Sequence, residues 1–169
     1  VRARVSRSTL MITIEKALQH MAWSSQKIFE DILQLPETIY ALNAAEGEWS
    51  VGTILTHFIG AAEWYKYCST GIPWESTTEI SNHEILKNEA KRIARLDEIL
   101  IKQATREDQT CTFEDENGQT QVPLSVILAQ TVSHTAEHRA QLSTILTMHG
   151  FRLDLDDKDV WAFNKRVQF

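Results

Sequence analysis

The sequence predicts an all-α protein: an antiparallel four-helix bundle with a small β-hairpin or extended excursion before the last long helix. Three observations carry that expectation. Four segments repeat apolar residues at helical spacing, proline and glycine breakers of modest length separate them, and one short stretch alternates around Asn117-Gly118. At 169 residues the chain suits one domain with a full hydrophobic core. Residues 11–169 form that domain in this reading. Residues 1–10, basic at Arg2, Arg4 and Arg7 and opening on Val, are expected to be a disordered extension or a tag remnant.

The first helix is expected from about Thr9 to Leu33, with Leu18, Met21, Ala22, Ser25, Phe29, Ile32 and Leu33 on one face. Leu35-Pro36 ends it, because proline disfavours helical backbone in the residue before it. Ser50 is a plausible N-cap for a second helix, whose stripe reads Val51, Ile54, Leu55, Phe58, Ala61, Ala62, Tyr65 and Cys68. Gly71 and Pro73 stop it. In the third, Ser81 to Glu84 fits a capping box with Ser81 as N-cap. Its buried line is Leu86, Ala90, Ile93, Leu96 and Leu100, and Lys87, Lys91, Arg92 and Glu98 form the solvated one.

Thr112-Phe113 and Thr120 to Val122 are the arms expected of a hairpin turning at Asn117-Gly118. Pro123 opens the fourth helix and Gly150 follows its end. Its stripe is Leu124, Ile127, Leu128, Thr131, His134, His138, Leu142, Ile145 and Met148. The acidic cluster Asp154, Asp156, Asp157 and Asp159 reads as the cap of a short closing helix. A calcium loop would need a regular ligand spacing, a central glycine and a terminal glutamate that are missing here.

A net charge of −6 disfavours nucleic-acid binding, which draws on a basic face. No apolar run reaches membrane-spanning length. Cys68 and Cys111 make neither a CxxC nor a disulfide framework, so the expected compartment is the cytoplasm.

The chemistry is expected at the histidines. His134 and His138 are four residues apart, so both imidazoles leave one face of the helix about 6 Å apart along its axis. They belong to the buried stripe, where polar rings need partners. His57 borders the stripe of the second helix. Each ring bonding a neighbouring side chain or carbonyl, or lining a wet pocket, is one account. Three imidazoles on core helices favour the other, a divalent metal: zinc or nickel foremost, with iron as a further candidate. A di-iron bundle needs Glu-x-x-His pairs, and no histidine here has an acidic residue three positions before it. The zinc-protease motif HExxH is absent because position 135 is Thr. His20 is expected at a helix rim, His83 exposed and without a role, and His149 at a helix C-terminus.

Trp49-Ser50 with Ile54-Leu55-x-His57, followed far downstream by His134-x-x-x-His138-Arg139-Ala140-Gln141-Leu142, resembles the DinB-like superfamily. Ala140 stands where that family often has glycine. The resemblance covers nearly the whole chain from about Met11. It implies a four-helix bundle, commonly a homodimer, with His57, His134 and His138 as the metal ligands. It further implies a metal-dependent transferase that works with a low-molecular-weight thiol such as bacillithiol or mycothiol, or a related hydrolase. A non-catalytic metal- or small-ligand-binding stress-response protein is the alternative. The sequence assigns no catalytic residue beyond the ligands, although Glu63, Trp64 and Tyr65 lie about two turns after His57 and are candidates for the pocket wall. The expected partner is a small-molecule substrate, with neither nucleic acid nor membrane involved.

Overall fold

The computed structural model describes residues 13–167 and is mostly helical, with one small antiparallel hairpin. The four long helices are α1 (Ile14–Ile32), α2 (Val51–Thr70), α3 (His83–Gln103) and α4 (Leu124–Met148). β1 (Thr110–Asp115) and β2 (Gly118–Pro123) precede α4, and a short α5 (Val160–Val167) follows it. Helix α1 packs on α3 and α4, and α2 packs on the same two. No described helix is long and apolar enough to cross a membrane.

Local chemistry sets most of the boundaries. Thr13 caps α1 by accepting from the Lys16 amide, so α1 begins at Ile14; the expected start at Thr9 and the expected extension over residues 1–10 lie outside the described residues. Ser50 caps α2 through the Thr53 amide, as its residue type predicts. Gly71 ends α2 at φ 74°, donating to the Tyr67 carbonyl in a conformation that costs glycine little. The N-cap of α3 is Asn82, not the predicted Ser81. Its side chain accepts from the Ile85 amide, and an asparagine oxygen serves this role as well as a serine hydroxyl. In the hairpin, Asp115 pairs with Gly118, so Glu116 and Asn117 are the turn residues. The turn is one residue earlier than predicted because Asp115 Oδ1 accepts from the Asn117 amide.

The interior is divided into two apolar clusters. One joins Phe29, Leu55, Phe58, Leu142, Ile145 and Leu146, and the other joins Leu18, Met21, Leu100, Leu124, Ile127 and Leu128. Along α4 the clusters are separated by the segment that carries His134 and His138. Free Cys68 and Cys111 lie in the second cluster, and burial pushes the Cys68 thiol up to about 12. The fourth stripe departs from expectation at its end: Met148 is exposed and Leu146 is buried in its place.

Polar groups inside the fold fix the connections. Arg92, predicted on the solvated face of α3, instead donates to Glu63 Oε1 through Nε at 2.9 Å and Nη2 at 2.7 Å. Buried Lys66 binds the other Glu63 oxygen and the Pro73 carbonyl, and half-buried Arg92 also holds the carbonyls of Glu75 and Ser76. Burial alone would raise the Glu63 pKa, but the hydrogen bonds from Lys66 and Arg92 outweigh it and hold the carboxyl below its ordinary value. The segment from 71 to 80 is thereby tied down along its length. Its end docks on Gly52: a Cβ there would lie 2.3 Å from the Ile80 carbonyl oxygen, so only glycine admits this approach.

His83 is half-buried rather than exposed. It accepts from the Tyr40 hydroxyl at 2.7 Å and donates to the Leu35 carbonyl at 2.9 Å, which clamps the α1–α2 connection to α3. His20 takes its predicted place at a rim, donating to the Lys158 carbonyl beside Trp23 and Phe163. Of the acidic cluster, Asp159 caps α5 through the Ala162 amide, while Asp157 and Asp31 pair with buried Lys158.

Candidate metal centre

The packing of α2 on α4 brings His57 opposite His134 and His138. One ligand nitrogen from each of the three lies within 4.8 Å of the others, the only such His, Cys, Asp or Glu group among the described residues. His134 Nε2 is 3.1 Å from His57 Nε2 and 3.0 Å from His138 Nε2. The three predicted site residues are therefore together, at the junction of the two apolar clusters. His138 is buried, and His57 and His134 are half-buried.

Proton placement favours a cation between them. The Gln141 Oε1 lies 2.7 Å from His138 Nδ1 and is an acceptor, so the His138 proton resides on Nδ1 and its Nε2 offers a lone pair to the centre. A proton on His134 Nε2 satisfies one of its two close contacts at a time, whereas one cation satisfies all three nitrogens. Zinc–imidazole bonds of about 2.0–2.1 Å separate tetrahedral ligand nitrogens by about 3.3 Å. The two separations made by His134 Nε2, 3.1 and 3.0 Å, are close to that. Burial and the neighbouring imidazoles of His138 and His57 lower His134 to about 4, and burial with His138 lowers His57. Both rings are thus neutral, as ligands must be. The donor set fits a divalent ion, and its three imidazoles leave further coordination positions open.

Trp49, the residue before the α2 N-cap, lies over the centre. Its ring centroid is 4.8 Å from that of His57 and 6.3 Å from that of His138, and the residue remains 48% exposed. Tyr65 stands on another side, 5.8 Å from His134 between ring centroids. Of the three candidates for the pocket wall, Tyr65 alone meets the triad. Trp64 packs on Tyr67 and Phe113, and Glu63 belongs to the ion network behind the 71–80 segment.

Gln141 and Glu79 went unassigned in the sequence. Gln141 had a legible signal, since a residue three positions after His138 shares its helix face. Glu79, which lines a cleft beside His57, had none, because its place depends on the docking of Ile80 against Gly52. Arg139, next to His138 in sequence, is also unanticipated: it is buried and has one guanidinium nitrogen without a partner.

Fold and site together define a helical protein with a tri-histidine centre suited to a divalent metal. A profile of the DinB family matches residues 6–156, and the chain belongs to that family. Its structure is similar to the crystal structure of a DinB-like protein from Bacillus cereus ATCC 10987, with 18% sequence identity and a TM-score of 0.65 over 83% of this chain and 93% of that one. No protein of curated function matches the chain.

Proposed function

We propose that this chain is a divalent-metal enzyme, a transferase working with a low-molecular-weight thiol or a related hydrolase, with His57, His134 and His138 as ligands. The convergence of one ring nitrogen from each of the three histidines to within 4.8 Å of the others is the observation that carries the reading. In it the ion is zinc or nickel, or else iron, the long helices form an antiparallel bundle, and the protein is a cytoplasmic homodimer. Bound there, a divalent ion supplies Lewis acidity that lets a thiol or water lose its proton near neutral pH.

The chain's own residues prepare that chemistry. Gln141 holds the His138 ring in the tautomer that turns Nε2 inward. Trp49 covers two of the three imidazoles and limits their contact with water, leaving approach along its edges. Tyr65 is raised above its ordinary pKa chiefly by burial, so it stays protonated near His134.

Elemental analysis of untagged protein tests the premise, followed by turnover assays of metal-stripped and reloaded samples with a thiol and a reactive electrophile. The expected result is about one divalent ion per chain and turnover that depends on it. Metal or ligand binding without turnover identifies a non-catalytic binding protein instead, and failure to bind any divalent metal overturns the proposal.

A further inference from the structure

Trp49 divides the space around the triad into two clefts. Thr53, Thr56, His57 and Glu79 line one of about 450 Å³. The other, of about 510 Å³, runs from Trp49 over Ile54, Ala140 and Ile145, with Gln141 on its wall and exposed Glu48 at its edge. Gln141, which holds His138, and Trp49, which covers the imidazoles, both line this larger cleft, so it lies beside the centre with those two side chains between them. Its volume suits a small organic molecule, and its buried isoleucines favour an apolar one.

The charge around both clefts has one sign. Their lining residues include Glu48 and Glu79 and no lysine or arginine. Neither carboxylate forms an ion pair among the described residues, in contrast to Glu63, which is matched by Lys66 and Arg92. The basic residue nearest in sequence to the ligands, Arg139, is buried and acts on His20 of α1; burial is the main cause of the lowered His20 pKa, and the Arg139 charge adds to it. A cleft whose one charged group is a carboxylate attracts cations and repels anions.

We infer that the Trp49–Ile145 cleft is the subsite for an apolar substrate arm ending in a cationic amine, with Glu48 as its charge partner, and that it rejects arms ending in carboxylate or phosphate. The role of this cleft in a reaction rests on the metal-centre reading; its selectivity for charge does not. The apolar part lies over Ile54 and Ile145, the amine reaches Glu48, and the opposite end points toward the triad.

Hexylammonium, 1-hexanol and hexanoate share one chain and differ in charge, so they separate the contributions. Each is titrated into the full chain, metal-free and zinc-loaded, with binding followed by the NMR shifts of the Trp49 indole and the Ala140 and Thr144 amides. The expected order in the metal-free protein is ammonium, then alcohol, then carboxylate, with about tenfold between the extremes, as befits reversing one charge near a partly screened carboxylate. Glu48→Gln is expected to bring the ammonium down to the alcohol. Ala140→Phe, which fills the cleft from an exposed position, is expected to abolish binding of all three. Hexanoate binding as tightly as hexylammonium, an order unchanged in Glu48→Gln, or no binding by any probe overturns the inference. Because the order is read without metal, a chain that binds no metal but keeps the order loses only the enzymatic reading. One that binds metal and lacks the order loses only this inference.

Discussion

At the scale of single residues, the site depends on where protons sit. A histidine ligand is useful only with its lone pair turned to the metal, and in His138 that choice is made by Gln141. Gln141→Leu removes the acceptor for Nδ1–H while keeping a helix-forming side chain at an exposed position. The expected result is metal affinity weaker by about 10- to 100-fold, with Gln141→Glu retaining it. Competition against a chromophoric chelator measures this, alongside a melting curve to show that the fold is unchanged. Equal affinity in the leucine variant would show that Gln141 does not position the ring. The triad itself was legible because a buried stripe containing two histidines is costly without partners, and helical spacing places both on one face. Trp49 and Glu79 were not legible as parts of the site, since their positions follow from how loops return to α2.

At the scale of elements, the 71–80 segment has no regular structure yet carries one wall of the centre. It is anchored at two places with different physics. The Glu63, Lys66 and Arg92 set holds its first half by charge-assisted hydrogen bonds. The contact of Ile80 with Gly52, aided by the Ile80 amide donating to Thr56 Oγ1, holds its end. Gly52→Ala inserts a methyl where the Ile80 carbonyl now lies, and backbone has little room to yield. A loss of about 1–3 kcal/mol is expected, by analogy with overpacked cores. Urea denaturation measures it, and hydrogen exchange is expected to show the Ile80 amide losing protection. A variant as stable as the parent would mean that the segment closes on α2 without this contact. Helix caps and stripes were readable because they depend on neighbours within a turn. The ion network was not: Arg92 looks like a solvated residue until the packing of α2 on α3 sets it against Glu63, and the Glu63–Lys66 pair, three residues apart on α2, carries no sign in the sequence of its burial.

At the scale of the whole molecule, the fold tolerates charged groups in its interior unequally, and this sets its response to pH. Glu63 and Lys158 are buried with partners, whereas Asp97 on α3 is 3% exposed and has one carboxyl oxygen with no hydrogen-bond partner. Burial therefore raises the Asp97 carboxyl to about 7. In the unfolded chain the same group ionises near 3.8. Between these values the folded state binds more protons than the unfolded one, so Asp97 makes stability fall as pH rises through this window, and the loss is complete above it. A shift of that size corresponds to on the order of 4 kcal/mol. The lowered imidazoles of His57 and His134 act in the opposite sense: the unfolded chain binds protons that the folded one does not, so they add stability as pH rises toward 6.5. The parent protein's own pH profile mixes these contributions, and a comparison with Asp97→Asn isolates one of them. Asparagine removes the ionisation and nearly keeps the shape. The stability difference between variant and parent is expected to shift in favour of the variant from pH 5 upward and to level off above about 7. Urea unfolding of both proteins at several pH values in that range measures the difference. A difference independent of pH would show that Asp97 ionises as freely in the folded protein as in the unfolded chain, and that the α1–α3 interface reorganises to supply the partner it lacks here.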